Sequence, residues 1–266
     1  AVAAALVGRE IVEAHCTLPG LRQLGRRVTG ATVTAVDTRG KAMLTRFNGG
    51  LTVYTHNQLY GRWYVMPDGR LPRTRRQLRF AVSAGGRRAL LYSASDIEVL
   101  DADTERDHPF LSRLGPEVLS QAPSVDELAA RLAEPRFRGR QLGALLLDQG
   151  FVAGLGNYLR AEILYESAIH PRRRARDLDE AGRHRLAERV LTVTRRAYRT
   201  RGVTLAPSLV SELKEQGVPR RGYRFWVYGR AGEPCRSCGT PIEAAPIGGR
   251  TCSWCPSCQP TVRAAH

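Results

Sequence analysis

The feature that most constrains the fold is a set of four cysteines near the end of the chain. Cys235 and Cys238 form one C-x-x-C pair, and Cys255 and Cys258 form a second. A C-x-x-C turn points two thiolates at one position, and two such turns joined by a hairpin-length segment give the tetrahedral sulfur site of structural zinc. We therefore predict a small hairpin over residues 226–260 that binds one zinc ion through these four sulfurs.

A further cysteine leaves the ligand set ambiguous, because Cys252 and Cys255 are also spaced C-x-x-C. We favour Cys258 over Cys252, since Pro256 suits the turn between Cys255 and Cys258 and Cys252 then falls on a strand. Two disulfides are the alternative interpretation of the same cysteines. The N-terminal residues do not resemble a secretory signal, which favours the metal.

The charge balance points to a polyanionic partner. The formal net charge is +16 at pH 7 and the isoelectric point is near 10.5, which are large values for a chain of 266 residues. Such a field attracts nucleic acid before other classes of partner. No apolar run is long enough to span a bilayer, so we expect no membrane association and a bacterial cytoplasmic protein located at the nucleoid.

Lysine is nearly absent although the chain is rich in basic residues. Of 41 lysines and arginines, only Lys41 and Lys214 are lysine. A composition that selects arginine this strongly replaces lysines that serve only as positive charges. An amine, unlike a guanidinium, can act as acid, base or nucleophile. Lys41 follows Gly40 at a predicted turn into a strand, where either a chemical role or a leftover surface lysine fits.

Two kinds of apolar spacing divide the chain. From Glu10 to about Leu100, short alternating runs such as AMLTRF and LTVYTH predict an antiparallel sandwich or barrel. From Pro116 onward the spacing becomes helical, with a capping box that begins at Ser124. Residues 204–220 have weak periodicity and are predicted to form a loop. We expect an α+β multidomain protein with two domains and the small metal hairpin.

The string Gly154-Leu155-Gly156-Asn157 joins two predicted helices. Glycines before a helix let backbone N–H groups approach a phosphate, and the dipole at the helix start favours an anion. The side-chain amide of Asn157 can donate to the same anion. A plain helix–helix turn fits these four residues equally well, so the motif alone does not decide between structure and binding.

Seven segments with distinctive sequences are spread along nearly the whole chain: TRGKAMLTRF, YTHNQLYG, LLYSASDIEVL, HPFLSRLGPEVL, LLDQGFVAGLGNYLRAEIL, GEPCRSCG and WCPSCQ. They resemble the formamidopyrimidine-DNA glycosylase and endonuclease VIII family of DNA repair enzymes, most closely the endonuclease VIII branch. The resemblance implies an antiparallel β-sandwich in residues 1–118, a helix–two-turn–helix DNA-binding domain in residues 119–219 and a zinc finger in residues 226–260. It also implies one structural zinc ion, a monomer, and a duplex DNA partner that contains oxidised bases or abasic sites.

The resemblance assigns roles position by position. Lys41 matches a lysine that acts as general acid in β-elimination and contacts phosphate. Arg250 matches the finger arginine that grips phosphate next to the lesion and is assigned to δ-elimination. The triplet Gln58, Leu59 and Tyr60 matches the loop that fills the gap left by a flipped nucleotide, whereas a strand-end turn packed on the core is its structural alternative. The remaining matches are two DNA-backbone ligands, Arg113 and Asn157, and a structural helix glutamate, Glu162.

The start of the sequence departs from the family pattern. Members use an N-terminal proline, whose amine attacks C1′ of the damaged nucleoside, followed by a glutamate that acts as general acid. The sequence opens at Ala1-Val2-Ala3, which matches the middle of the family's first helix. We expect the Pro-Glu pair to lie upstream of Ala1. The other interpretations are a member that binds damaged DNA without removing bases, and catalysis by another amine such as Lys41.

The function that follows is a base excision repair DNA glycosylase with AP lyase activity, through β,δ-elimination, on oxidised pyrimidines in duplex DNA. A non-catalytic damaged-DNA-binding zinc protein is the rival from another class. A zinc-ribbon module of the ribosome or the transcription machinery is a third, and it explains neither the triplet nor a separate β-sandwich.

Overall fold

The alternating apolar runs in the first hundred residues form two antiparallel sheets in the computed structural model, which describes residues 1–261. One sheet has the strand order β2-β3-β4-β8 and the other the order β1-β6-β7-β5. The strands are β1 (Glu13–Cys16), β2 (Val33–Arg39), β3 (Ala42–Phe47), β4 (Thr52–His56), β5 (Arg62–Pro67), β6 (Leu78–Ala84), β7 (Arg87–Tyr92), β8 (Asp96–Leu100), β9 (Glu243–Ile247) and β10 (Arg250–Trp254).

The described residues also form nine α-helices. They are α1 (Val2–Leu6), α2 (Leu24–Val28), α3 (Ala102–Arg106), α4 (Val125–Ala133), α5 (Pro135–Arg138), α6 (Leu142–Leu145), α7 (Asn157–Glu166), α8 (Glu180–Arg199) and α9 (Pro207–Glu215). The capping box predicted at Ser124 is present at the start of α4: the Ser124 hydroxyl accepts from the Glu127 N–H at 3.0 Å, and the Glu127 carboxylate accepts from the Ser124 N–H at 2.6 Å.

The chain divides into two units, Ala1–Arg113 and a second that begins at Leu114. In the first unit the two sheets pack face to face, since residues of both sheets, such as Val53 and Phe80, belong to one buried apolar cluster. This arrangement confirms the predicted antiparallel β-sandwich. The three-domain boundaries drawn from the sequence stay a prediction.

In the second unit, α4, α7 and α8 share one apolar core that includes Leu128, Ile163 and Leu186. The β9–β10 hairpin packs on α7 through a separate cluster that contains Tyr165, Ile247 and Trp254. The prediction of a loop over residues 204–220 is wrong for its middle part, which forms helix α9 from Pro207 onward. Proline at the first helical position is pre-organised for a helix, and the apolar periodicity of so short a helix is too weak to show it.

Within residues 1–261, none of the helices combines the length and the apolar character that a bilayer-spanning helix requires.

Candidate functional site

Lys41 lies at the tip of the hairpin that joins β2 to β3. Arg39 pairs with Ala42, so only Gly40 and Lys41 form the turn, and Gly40 has φ of 60°. A positive φ at this position favours glycine. Lys41 is exposed. The predicted turn before a strand is therefore confirmed, and the amine stands at one end of the sheet.

Three segments meet around His56, the last residue of β4. Ala42 pairs with His56, which places Lys41 at the same sheet end as the turn that follows β4. Burial lowers the pKa of His56 and the nearby charge of Lys41 lowers it further, while Asp96 acts in the opposite direction. The ring of Phe110 lies 5.3 Å from the His56 ring, between centroids. The tip of the β2–β3 hairpin, the turn after β4 and the segment around Phe110 therefore lie at the same end of the sheet.

The predicted gap-filling triplet forms the turn after β4. This turn connects β4 in one sheet to β5 in the other. Its apolar side chains face solvent, with Leu59 68% and Tyr60 69% exposed. Gln58 accepts a hydrogen bond from the Ser95 hydroxyl at 3.4 Å. The large exposed fractions of these two side chains contradict the alternative prediction, a turn packed on the core. Two neighbouring large apolar side chains in water are typical of a surface that meets a partner.

The backbone of the triplet is held in an unfavourable conformation. Gln58 has φ of 49°, a region that costs free energy for a residue with a side chain. The Gly61 N–H donates to the Asn57 carbonyl at 2.7 Å, and a Cβ on Gly61 would lie 2.5 Å from that oxygen. Only glycine fits so close an approach. The turn is therefore closed at its base while its apex points into solvent.

Arg113 ends a short 3-10 turn, Leu111–Arg113, and its side chain is exposed. His108 organises this turn, because its Nδ1 accepts from the backbone N–H groups of Phe110 and Leu111 at 3.2 and 3.3 Å. Its Nε2 therefore carries the proton and donates to the Glu98 carboxylate at 3.3 Å. Nothing in the sequence indicated this role of His108.

The four predicted metal ligands converge in the second unit. The Sγ atoms of Cys235, Cys238, Cys255 and Cys258 all lie within 4.8 Å of one another, so this cluster can hold a metal ion. The Cys235–Cys258 distance is 3.8 Å and the Cys238–Cys255 distance is 3.5 Å. A disulfide needs about 2.05 Å between sulfurs. The geometry therefore supports the metal over the two disulfides.

Cys252 lies outside the cluster. It is fully buried on β10, where it pairs with Ala245, and burial raises the pKa of its thiol. Its sulfur is not among the four that lie within 4.8 Å of one another, whereas the sulfur of Cys258 is. The preference for Cys258 over Cys252 agrees with this geometry.

Gln259 fixes the second C-x-x-C turn to the rest of the unit. Its side chain is buried, its Oε1 accepts from the Cys255 N–H at 2.9 Å and its Nε2 donates to the Ile169 carbonyl at 2.9 Å. This role of Gln259 was not predicted from the sequence, because a glutamine beside a cysteine pair has no distinctive spacing.

Arg250 begins β10, directly after the Gly248–Gly249 turn, and its side chain is exposed. Its carbonyl accepts a 2.6 Å hydrogen bond from Arg160, whose other terminal nitrogen donates to the carbonyls of Gly143 and Ile247 at 2.7 Å each. Arg160 is 0% exposed. Its buried guanidinium thus sets the position of the hairpin tip that carries Arg250.

Asn157, the first residue of α7, contacts the same hairpin. Its Nδ2 donates to the Thr251 carbonyl at 3.0 Å. The sequence predicted that this amide donates to a phosphate. One of its two N–H groups is engaged by the hairpin instead, so the phosphate contact, which stays a prediction, would use the other.

Glu162 is fully buried on α7 and binds the backbone that leads into the hairpin. Its two carboxylate oxygens accept the N–H groups of Trp226, Val227 and Tyr228 at 2.8, 2.9 and 3.0 Å, and also the hydroxyl of Thr204. Burial raises the pKa of Glu162, and these four hydrogen bonds act to lower it. The structural role expected for Glu162 is consistent with this geometry.

Replacing Glu162 with glutamine is expected to lower the free energy of unfolding by about 2–4 kcal/mol, because the amide nitrogen cannot accept the hydrogen bonds that one oxygen now receives. Urea unfolding followed by far-UV circular dichroism measures the change. Glu215→Gln, an exposed position at the end of α9, is the matched control and should change stability by less than about 0.5 kcal/mol. Equal effects of the two substitutions would contradict the role of Glu162.

The predicted site residues therefore fall into two groups. The first unit holds one group around the sheet end, Lys41, Gln58, Leu59, Tyr60 and Arg113, and the second unit holds Asn157, Arg250 and the four cysteines. Arg160, Thr204 and Gln259 complete the second group and were not predicted.

Two family models match the chain. The formamidopyrimidine-DNA glycosylase N-terminal domain matches residues 1–94, and the formamidopyrimidine-DNA glycosylase H2TH domain matches residues 114–207. Endonuclease 8 from Salmonella arizonae is 45% identical over 256 residues, which cover 96% of this chain and 94% of that protein. Endonuclease 8 from Salmonella schwarzengrund is 44% identical over the same shares.

Solved structures show the same fold at lower identity. A formamidopyrimidine-DNA glycosylase from Lactococcus lactis, bound non-covalently to DNA with an AP site, superimposes with a TM-score of 0.78 at 22% identity, covering 98% of this chain and 95% of that one. A complex of the Lactococcus lactis enzyme with DNA that contains Fapy-dG has the same TM-score and identity and covers 98% and 96% of the two chains.

Proposed function

Because the chain belongs to the formamidopyrimidine-DNA glycosylase and endonuclease VIII family, we propose that it is a base excision repair DNA glycosylase with AP lyase activity. Its substrate is duplex DNA that carries an oxidised pyrimidine or an abasic site. The observation that carries the substrate class is the exposed turn of Gln58, Leu59 and Tyr60.

The triplet suits a gap in a duplex. When a nucleotide leaves the helix, its neighbours lose a stacking partner and the opposite base loses its hydrogen bonds. Leu59 supplies an apolar wedge, Tyr60 an aromatic face and Gln58 an amide, which together replace stacking and pairing. The closed base of the turn, with Gly61 against Asn57, keeps the wedge from folding back.

Lys41 and Arg250 are the proposed catalytic residues. Lys41 stands on a rigid two-residue turn and, as an ammonium, can donate a proton during β-elimination while it contacts a phosphate. Arg250 offers a guanidinium fork that matches a phosphate next to the lesion, and its charge stabilises the phosphate that leaves in δ-elimination.

Arg113 and Asn157 are proposed to bind DNA phosphates away from the reacting sugar. Arg113 is exposed on a turn fixed by His108, and Asn157 stands at the start of α7, where the helix dipole favours an anion. Contacts of this kind set the register of a protein on a duplex and carry no base sequence information.

The metal in the four-cysteine cluster is proposed to be zinc. Tetrahedral zinc with sulfur at about 2.3 Å places neighbouring sulfurs about 3.8 Å apart, and the observed separations are 3.5 and 3.8 Å. Four protein ligands leave no open position, so the ion is structural and holds the hairpin that presents Arg250.

The test has two measurements. The first compares the affinity for two duplexes that differ only in a stable abasic-site analogue. The second measures strand incision by the full-length protein at thymine glycol. We expect Leu59→Ala to reduce the preference for the abasic duplex by about tenfold, since an aliphatic wedge offsets part of an unstacking cost of a few kcal/mol per base step. Leu119→Ala, a leucine 51% exposed in the second unit, is the control.

Both leucines are exposed, so neither variant should change the melting temperature. A Leu59→Ala protein that loses affinity equally for both duplexes would assign Leu59 to general binding or to structure. A full-length protein that binds the abasic duplex but does not incise the thymine glycol duplex would refute the enzyme and leave a damaged-DNA-binding protein.

A further inference from the structure

The segment between β5 and β6, residues 68–77, concentrates positive charge beside the triplet. This arginine loop contains four arginines and one aspartate, Asp68, which gives a formal charge of +3 (four minus one). All four arginines are exposed: Arg70, Arg73, Arg75 and Arg76.

The four arginines are not neutralised within the described chain. Asp68 lies 3.7 Å from Arg88 on β7, and none of the loop arginines forms an ion pair with a carboxylate of residues 1–261. Elsewhere in the same unit Arg46 pairs with Asp37 at 2.8 Å and Glu105 at 2.7 Å. Unpaired like charges on one short loop repel each other and lower stability unless an anion binds them.

A direct contact ties the loop to the triplet. The Arg76 guanidinium donates a hydrogen bond to the Tyr60 carbonyl. The loop is also shaped locally, because the Arg76 N–H donates to the Thr74 hydroxyl at 3.2 Å and Pro72 restricts its predecessor to extended backbone. Arg76 therefore lies beside the proposed wedge, whereas Arg70 lies at the far end of β5, so the loop runs from there back to the wedge.

The spacing matches a phosphate backbone. Arg70 is six residues before Arg76, so their Cα atoms are at most about 21 Å apart. Each DNA strand carries one negative charge about every 3.4 Å of helix axis, so a segment of this length faces several phosphates of a single strand. Arginine is the side chain that binds phosphate with a two-pronged hydrogen bond.

We propose that the arginine loop binds the phosphate backbone of the duplex whose gap Leu59 fills, and that Arg76 is a positioning residue for the triplet. The proposal rests on the function proposed above. Arg70, Arg73 and Arg75 supply affinity that is independent of damage, whereas Arg76 sets the preference for damage by holding the Tyr60 carbonyl.

The experiment compares two triple variants of the full-length protein. Arg70→Gln, Arg73→Gln and Arg75→Gln together remove the free charges of the loop. The matched control removes three exposed arginines around α2, which also form no ion pair within residues 1–261, by Arg22→Gln, Arg26→Gln and Arg27→Gln. Affinity for the intact and abasic duplexes is measured between about 0.05 and 0.2 M salt.

The loop triple variant is expected to reduce the slope of log affinity against log salt by about 2–3 on both duplexes, because each phosphate contact contributes roughly 0.9. Its preference for the abasic duplex should stay that of the wild type. A slope equal to that of the wild type, or a reduction no larger than the control's, would overturn the phosphate assignment.

Arg76→Gln is expected to give the opposite pattern, with a slope changed by about 1 or less and a severalfold lower preference for the abasic duplex. If Arg76→Gln lowers both affinities equally, Arg76 is only another phosphate contact and the positioning role is refuted. A wild-type protein without preference for the abasic duplex would refute the proposed function, while the slopes would still decide whether the loop contacts DNA.

Discussion

Replacing Cys255 with serine is expected to remove the metal from the protein and to unfold residues 226–260. A structural zinc ion contributes about 10–16 kcal/mol to the folding of a small metal domain, far more than the short β9–β10 hairpin can supply by its own packing. Cys255 is fully buried beneath that hairpin, so the loss of one ligand also exposes its core.

Metal content measured by mass spectrometry and tryptophan fluorescence report this change. Trp226 and Trp254 belong to the apolar cluster of the hairpin, and Trp63 lies in the sandwich, so about two thirds of the tryptophan signal should respond. Cys252→Ala is the control, because Cys252 is equally buried but lies outside the sulfur cluster. Loss of metal from Cys252→Ala, or its retention by Cys255→Ser, would show that the ligand set is wrong.

Replacing Arg160 with methionine is expected to lower the free energy of unfolding by about 3–5 kcal/mol. Three carbonyls lose their charged donor, and each buried group left without a partner costs about 1–3 kcal/mol, with incomplete additivity. Methionine keeps most of the volume, so the loss of packing is small. Arg160→Lys should be intermediate, because an ammonium keeps the charge but not the planar fork.

Chemical denaturation measures the stability change, with Arg199→Met on the exposed face of α8 as a control. DNA binding provides a second readout. If Arg160 acts by placing Arg250, the affinity lost in the double variant Arg160→Met, Arg250→Ala should be smaller than the sum of the single losses. Full additivity would mean that Arg160 stabilises the fold without positioning Arg250.

The sandwich and the convergence of the four cysteines could be predicted because their signals are local. AMLTRF coincides with β3 (Ala42–Phe47), and the two C-x-x-C pairs define their own turns. Alternation of apolar residues and fixed cysteine spacing both follow from local geometry. The resemblance added the roles of Lys41 and of the triplet, which spacing alone does not contain.

The buried polar residues could not be predicted in the same way. Arg160 and Glu162 are among the residue types that are almost never fully buried, and in a chain rich in arginine one more arginine carries no signal. Their partners are backbone groups far along the chain, such as the Arg250 carbonyl and the Val227 N–H. Contacts of that kind depend on tertiary structure and leave no local pattern.

Three polar side chains of α7 hold the hairpin by its main chain. Asn157, Arg160 and Glu162 bind carbonyl and N–H groups of the hairpin and its leading segment. These contacts require the shape of the hairpin backbone and no particular side chain on it, unlike the apolar cluster and the hydrogen bond from Tyr165 to Ser237. The surface of the hairpin turned away from α7 is thus free to diverge during evolution, and a hairpin exchanged between relatives should dock on α7 if it keeps the side chains that face Tyr165.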